Sequence, residues 1–166
     1  MVEFRPVCLE DERDFVLSMF VVRAFEAASE VQKRPGFAHY QQRWLASAEA
    51  GEAYRSIEAS LSDPRTIAEI VVVDGVAAGF VWVTFEGAPY EPCHAELQLV
   101  AFRLNFQRRG LGRVSLHHVE QLAASRGAET IRSTGSAATE GIRRFHASLG
   151  FEPIQTVYEK RLKHPA

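Results

Sequence analysis

The order of apolar and polar residues along the chain alternates between strand and helix periods. Residues 2–7 (VEFRPV) predict a first strand, and apolar positions at helical spacing follow from about Leu9 to Ala28. After the turn signal Arg34-Pro35-Gly36, a second helical stretch runs from about Ala38 to Leu61. The first third of the chain therefore predicts one strand followed by two helices.

The middle of the chain changes to a period of two. Two β-rich runs between Thr66 and Gly87 are joined by Asp74-Gly75, a strong hairpin signal. A third run, from Cys93 to Phe102, follows a break that contains two prolines. Strict alternation along this run predicts one face with His94, Glu96, Gln98, Val100 and Phe102, and an apolar face with Cys93, Ala95, Leu97, Leu99 and Ala101.

The last third of the chain returns to alternating elements. A helix is expected from about Leu111 to Arg126, a strand in TIRSTG, a helix in TEGIRRFHASLG, and one or two closing strands in FEPIQTVYEKRL. No internal repeat, low-complexity tract or linker interrupts the pattern. We expect a single mixed α/β domain over residues 1–166.

Composition and charge exclude several classes of protein. The chain is 46% hydrophobic and 24% charged, the balance of one globular domain with a buried core. Its formal net charge of -2 lacks the basic excess of a nucleic-acid binder, so no nucleic-acid partner is expected. No apolar run is long enough to span a bilayer and no signal-peptide pattern opens the sequence, so we expect no membrane partner and a cytoplasmic location. The two cysteines lack metal-binding spacing, and no metal site is predicted.

The segment QRRGLGRV, from Gln107 to Val114, carries candidate chemistry at the expected junction of a strand and a helix. The first backbone N–H groups of a helix and its dipole favour a bound anion, and Gly110 and Gly112 would let the backbone approach a phosphate. A dinucleotide motif would need a third glycine where Ser115 stands, and no Walker-type Lys-Ser/Thr step occurs. The residues themselves leave two interpretations open, a phosphate site or a solvated basic turn.

Two motifs carry a resemblance to a known family. The order of strand, QRRGLG and amphipathic helix resembles the Q/R-x-x-G-x-G/A signature of the GNAT superfamily, the acyl-CoA-dependent N-acyltransferases. TEGIRRFHASLGF, from Thr139 to Phe151, is similar to the signature of the same family that leads into Leu-Gly-Phe. The motif-level similarity covers about residues 93 to 152. It implies an α/β (α+β) fold with a mixed central sheet of about six or seven strands and about four flanking helices, and a homodimer as a family-level expectation.

The resemblance also implies acetyl-CoA as co-substrate. The strand before the loop splays from its neighbour in this family, and its backbone at Val100, Ala101 and Phe102 would pair with the pantetheine arm, with an N–H near Val100 facing the thioester oxygen. Thr139 stands where the family usually has an Asn that binds the pantetheine region. The resemblance assigns the pyrophosphate to the loop and helix start: Gln107, Arg108, Arg109, Gly110, Leu111, Gly112 and Arg113.

Two residues are candidates for proton transfer. An acceptor amine with a pKa near ~10.4 needs a base at neutral pH, and Glu96 lies where several family members have a catalytic Glu. The departing thiolate needs an acid, and His146 stands where the family usually has a Tyr. Structural alternatives remain for both: Glu96 as the partner of an arginine, and His146 packed with Ile142 and Leu149.

The acceptor class is left open by the sequence. The resemblance implies an amine, either a small molecule or a peptide, and walls of its site at Phe37, His39, Tyr40, Trp44, Tyr90 and Glu91. Three hypotheses follow: an N-acetyltransferase that works by direct attack in a ternary complex, a catalytically degenerate acyl-CoA-binding regulatory module, and an interaction domain whose arginines bind a polyanion. We expect the first, and the departures at Thr139 and His146 from the usual family pattern are the argument for the second.

Overall fold

The computed structural model describes residues 1–87, 93–134 and 140–154, with only the backbone of residues 140–142. The chain divides into two compact units, Met1–Thr134 and Gly135–Ala166. The expectation of a single domain stays a prediction.

The first unit holds nearly all the described secondary structure. Its elements are β1 (Val2–Pro6), α1 (Leu9–Ala27), α2 (Glu30–Lys33), α3 (Phe37–Leu45), α4 (Ala48–Leu61), β2 (Thr66–Val73), β3 (Val76–Glu86), β4 (His94–Phe102), a 3₁₀ turn (Leu104–Phe106), α5 (Leu111–Ser125) and β5 (Thr130–Ser133). The described part of the second unit holds α6 (Glu140–Ser148).

The mixed α/β class is confirmed, with different element counts. The described residues contain five strands rather than six or seven. Residues 151–154, at the start of the expected closing strands, form no strand, and residues 155–166 lie outside the described part. There are more helices than the expected four because the second helical stretch breaks at Ala46-Ser47 and the one-turn α2 precedes it.

The five strands form one sheet in the order β1-β2-β3-β4-β5. The first three pairings are antiparallel, and β4 pairs with β5 in parallel. The predicted hairpin is confirmed: Asp74 and Gly75, with φ of 49° and 79°, connect the pair Val73 and Val76. Positive φ at both positions matches the twist of the flanking strands.

Apolar side chains cover both faces of the sheet. On one face, Phe80 of β3 packs with Val16 and Met19 of α1 and Ile57 of α4. On the other, residues of β2, β3 and β4 pack with Val119 and Ala123 of α5. The sheet is therefore the middle layer between α1 and α4 on one side and α5 on the other.

A bulge in β4 changes which side chains share a face. Trp82 of β3 pairs with Leu99 while its neighbour Val83 pairs with Leu97, so Gln98 is an extra residue in β4. Leu99 and Ala101 accordingly pack in the core of α1 and α4, whereas Ala95, Leu97, Val100 and Phe102 pack in the core of α5. The predicted single alternation along β4 is wrong, because one inserted residue reverses the faces after it.

The start of α1 is held by a charged side chain. Glu12 accepts the backbone N–H of Cys8, the residue before the helix, at 2.9 Å and forms an ion pair with Arg5. Arg5 holds the pKa of Glu12 below its ordinary value, through hydrogen bonding first. None of the helices that the structure describes is long and apolar enough to cross a membrane.

Candidate functional site

Half of β4 has an unpaired edge. The parallel pairing with β5 ends at Leu97 and Ser133, whereas the pairing with β3 continues to Phe102 and Gly79. Residues 98–102, which we call the open edge, thus have a partner strand on one side only among the described residues. An open strand edge offers N–H and C=O groups to an extended ligand. Val100, Ala101 and Phe102, predicted to contact the pantetheine arm, all lie on this edge.

A glycine in β3 fixes the position of the open edge. A side chain on Gly79 would overlap the ring of Phe102 and approach the Ala101 carbonyl oxygen to 2.7 Å. The ring of Phe102 therefore occupies the place of the missing side chain. Only glycine at this position allows β3 and the end of β4 to approach so closely.

The backbone turns sharply in the arginine loop, residues 107–113. Arg108 has φ of 59°, uncommon for a residue other than glycine, and Gly110 has φ of 77°. Gly110 is the N-cap of α5, and its carbonyl accepts the N–H groups of Arg113 and Val114. Within the described part of the chain, the backbone N–H groups of residues 108–112 donate to no acceptor. They form a row of donors at the positive end of the helix dipole.

The arginine loop carries uncompensated charge. Arg108, Arg109 and Arg113 are exposed, and none of them pairs with a carboxylate among the described residues. The Arg109 guanidinium lies 5.2 Å from the ring centre of Phe106. Leu111 is 7% exposed and anchors the first turn of α5 in the interior. The loop combines free backbone donors with three cations, an arrangement suited to a phosphorylated ligand.

Gln107 differs from the other loop residues because its donors are used inside the protein. Its side-chain Nε2 donates to Glu26 Oε1 at 2.9 Å and to the Phe102 carbonyl at 3.2 Å. Its backbone N–H donates to the Leu104 carbonyl at 3.3 Å. The structure thus places the predicted pyrophosphate ligand Gln107 between the end of β4 and α1.

A polar strip lies on the sheet face toward α1 and α4; it comprises Thr84, Glu96, Gln98 and Thr134. Thr84 of β3 pairs in register with Glu96, and Gln98 Nε2 donates to Thr84 Oγ1 at 2.9 Å. The Thr134 hydroxyl donates to Glu96 Oε1 at 3.1 Å. Glu96 is half-buried and, among the described residues, forms no ion pair. The strip therefore holds a carboxylate that accepts a hydrogen bond from a hydroxyl group and that pairs with no cation of the described residues.

A buried histidine continues this face at the start of β4. His94 is 5% exposed, and its Nε2 lies 3.3 Å from Arg132 Nη1. Because arginine only donates, Nε2 accepts and the proton of the neutral ring is assigned to Nδ1. That Nδ1 has no partner in the described part of the molecule. A cleft of about 480 Å³ lies beside it, lined in part by Ser60, Thr66, Thr84, Glu86 and His94.

The residues expected to line the acceptor site differ in how they pack. Phe37 and Tyr40 of α3 pack against the ring of Phe25 at centroid distances of 5.2 and 5.3 Å. His39 is exposed and Trp44 is half-buried. Tyr90 and Glu91 lie outside the described residues.

In the second unit, His146 lies on α6 and is half-buried. Its ring contacts those of Phe145 and Phe151, with centroid distances of 5.8 and 5.3 Å. The Phe151 N–H donates to the His146 carbonyl at 3.0 Å, closing the end of the helix. Thr139 lies outside the described residues.

Sequence reasoning missed two contacts that the structure shows, Thr134 with Glu96 and Glu26 with Gln107. The Thr134 hydroxyl contacts Glu96. Alternation along TIRST puts Thr134 on the same face as Arg132, and the pairing of β5 with β4 brings that face next to Glu96. The pattern therefore predicts the contact only once the strand pairing is known. Glu26 reaches Gln107 across 81 positions of sequence. No local pattern signals that second contact.

The sequence model of the acetyltransferase (GNAT) family matches residues 26–151. A comparison with curated proteins found no match.

Solved structures share the fold at low sequence identity. Glucosamine-6-phosphate N-acetyltransferase from Arabidopsis thaliana is 13% identical, with a TM-score of 0.63 over 98% of this chain and 99% of its own. AAC(6')-Iy, in complex with the bisubstrate analog CoA-S-monomethyl-acetylneamine, is 18% identical, with a TM-score of 0.64 over 99% of both chains. A transcriptional regulator from Bacillus halodurans is 17% identical, with a TM-score of 0.68 over 98% of this chain and 100% of its own. At these identities the likeness shows the fold alone.

Proposed function

We propose, since the chain belongs to the acetyltransferase (GNAT) family, that it transfers an acetyl group from acetyl-CoA to an amine in a ternary complex. The observation that carries the proposal is the continuity of the open edge with the arginine loop. Residues 98–102, which have a partner strand on one side only among the described residues, lead through one 3₁₀ turn to backbone N–H groups that donate to no described acceptor. One extended ligand that ends in a pyrophosphate would use both.

Two parts of acetyl-CoA, the pantetheine arm and the pyrophosphate, require different interactions. The pantetheine arm carries amide groups, which pair with the N–H and C=O groups of residues 98–102 as an added strand would. The pyrophosphate carries negative charge, which the N–H groups of residues 108–112 and the side chains of Arg108, Arg109 and Arg113 stabilise. The complex of AAC(6')-Iy with a CoA bisubstrate analog supports the choice of coenzyme A.

Glu96 is the proposed base. The amine nitrogen attacks the thioester carbonyl carbon, its proton passes to the Glu96 carboxylate directly or through water, the C–N bond forms and the C–S bond breaks. The Thr134 hydroxyl orients one carboxylate oxygen, which leaves the other to accept the proton. A backbone N–H near Val100 on the open edge stabilises the oxyanion.

His146 is the proposed acid. The departing thiolate takes a proton as the C–S bond breaks, and an imidazole is a side chain that can donate one. The contacts of its ring with Phe145 and Phe151 restrict its orientation. Substitution of His146 by Phe keeps an aromatic ring and removes the proton.

The test is release of thiol from acetyl-CoA in the presence of a panel of amines that includes amino sugars and peptide N-termini. Glu96→Gln keeps the hydrogen bond from Thr134 and removes the base, so we expect turnover to fall about 100-fold while acetyl-CoA binding is retained. Glu120→Gln on the exposed face of α5 is the matched control and should keep full turnover. Unchanged turnover in both Glu96→Gln and His146→Phe would remove the assigned roles.

A second function is an acyl-CoA-binding regulatory module. The observation that favours it is the pair of departures at Thr139 and His146 from the family's usual Asn and Tyr. This alternative predicts binding of acetyl-CoA without thiol release for any amine in the panel.

A further inference from the structure

The contacts of Gln107 argue against a direct role in binding phosphate. Its two side-chain hydrogens and its backbone hydrogen all have acceptors inside the protein, at Glu26, Phe102 and Leu104. The atoms left on Gln107 are carbonyl oxygens, which repel a phosphate. Gln107 instead connects three elements: the C-terminal end of α1, the last residue of β4 and the loop itself.

Glu26 is an unexpected neighbour for an anion-binding loop. Although the residue keeps much of its surface exposed, enclosure of its carboxyl group raises its pKa, against the opposing effects of Arg23, the Gln107 hydrogen bond and Lys33. A carboxylate cannot bind a phosphate. The contact of Glu26 with Gln107 therefore favours a role in holding the conformation of the loop and not in attracting the phosphate.

We propose that Glu26 is a positioning residue for the cofactor site, which holds Gln107 so that the open edge and the arginine loop keep the relative placement that one acetyl-CoA molecule requires. Gln107 Nε2 bridges Glu26 Oε1 and the Phe102 carbonyl, so the end of the open edge and the start of the loop share one amide group. Without its acceptor on α1, that amide is held by the Phe102 carbonyl alone, and the loop loses its hydrogen bond to the helix. The proposal rests on the proposed binding of acetyl-CoA.

The test is a double-mutant cycle on acetyl-CoA binding, measured by calorimetry. Glu26→Ala and Gln107→Ala should each weaken binding about three- to tenfold, and the double variant should be no weaker than the weaker single variant because both remove one interaction. Glu26→Gln keeps an oxygen that accepts from Gln107 and should bind at least as tightly as the wild type. Glu30→Ala, a nearby exposed glutamate paired with Lys33, is the control and should leave affinity unchanged.

Kinetics separate positioning from a general structural effect. We expect the KM for acetyl-CoA to rise in Glu26→Ala with kcat retained, and Glu26→Gln to restore KM. Full affinity in Glu26→Ala beside a wild type that binds, or additive losses in the double variant, would overturn this inference and leave the proposed function intact. Absence of binding by the wild type would overturn both.

Discussion

The arginine loop and the polar strip both contact β4, but they use different chemical groups. The loop relies on backbone N–H groups whose direction is set by two left-handed residues, Arg108 and Gly110, within one short segment. The polar strip relies on side chains that two strands, β3 and β4, and the residue after β5 bring together. A backbone site is tolerant of side-chain changes and sensitive to changes in conformation, whereas a side-chain site has the opposite sensitivity.

The largest effect should come from disturbing the backbone of the open edge. Gly79→Ala places a methyl group against the Ala101 carbonyl and the Phe102 ring, so we expect a loss of about 1–3 kcal/mol in the free energy of unfolding. Acetyl-CoA affinity should fall as well, because the edge is displaced. Chemical denaturation and calorimetry measure the two effects. Gly51→Ala in α4 makes the same change next to a flexible arginine and serves as control; equal behaviour of the two variants would contradict the account.

The second-largest effect should come from changing the backbone conformation of the arginine loop at Gly110. Gly110 and Gly75 have similar φ, 77° and 79°, and open space where a side chain would lie. Alanine at either position should therefore lower stability by about 1–2 kcal/mol through backbone strain. Only Gly110→Ala should also weaken acetyl-CoA binding. Loss of affinity in Gly75→Ala to the same extent would show that the effect comes from stability and not from the loop.

A smaller effect should come from removing one hydrogen bond in the polar strip. Thr134→Val keeps the shape of the side chain and removes its hydrogen bond to Glu96, so turnover should fall about three- to tenfold with acetyl-CoA affinity unchanged. Thr130→Val makes the same change at an exposed position of β5 and should be silent. A drop in cofactor affinity without a drop in turnover would assign Thr134 to the other half of the site.

The smallest effect should come from Glu12 at the start of α1, which lies outside both the arginine loop and the polar strip. The folded state holds the pKa of Glu12 below its ordinary 4.5, so this group stabilises the fold above that pH and the contribution disappears as pH falls through the lowered value. Glu12→Gln should cost about 1 kcal/mol or less at pH 7 and nothing at strongly acidic pH, by denaturation at both. Glu10→Gln, on an exposed position in the same turn, is the control. A constant difference at all pH values would exclude the charge as its cause.

The two halves of the site also differ in how much the sequence predicts. Asp74-Gly75 and the glycines of the arginine loop act through local conformation, and short motifs predict them. The bulge at Gln98 depends on how β4 pairs with β3, and it reversed the expected faces of Val100 and Phe102. Contacts between distant segments, such as Glu26 with Gln107, follow from the packing of whole helices and strands, and no local sequence pattern predicts them.

The closing part of the chain shows a different limit. The expected final strands depend on pairing with a sheet edge, and apolar alternation in FEPIQTVYEKRL gives no partner or register. The sequence predicts a helix around His146, and α6 confirms it. The proposed role of His146 as acid depends on where its ring lies relative to the thiolate, which a sequence motif does not specify.

The most direct test of the central claim, that the open edge and the arginine loop bind acetyl-CoA, is a calorimetric titration of ligand-stripped protein. Arg109→Glu is compared with Arg126→Glu, since both arginines lie over a phenylalanine ring and only Arg109 belongs to the loop. We expect saturable binding by the wild type, a loss of about 10- to 100-fold in Arg109→Glu, and full affinity in Arg126→Glu. No binding by a folded wild type, or equal losses in the two variants, would contradict the account.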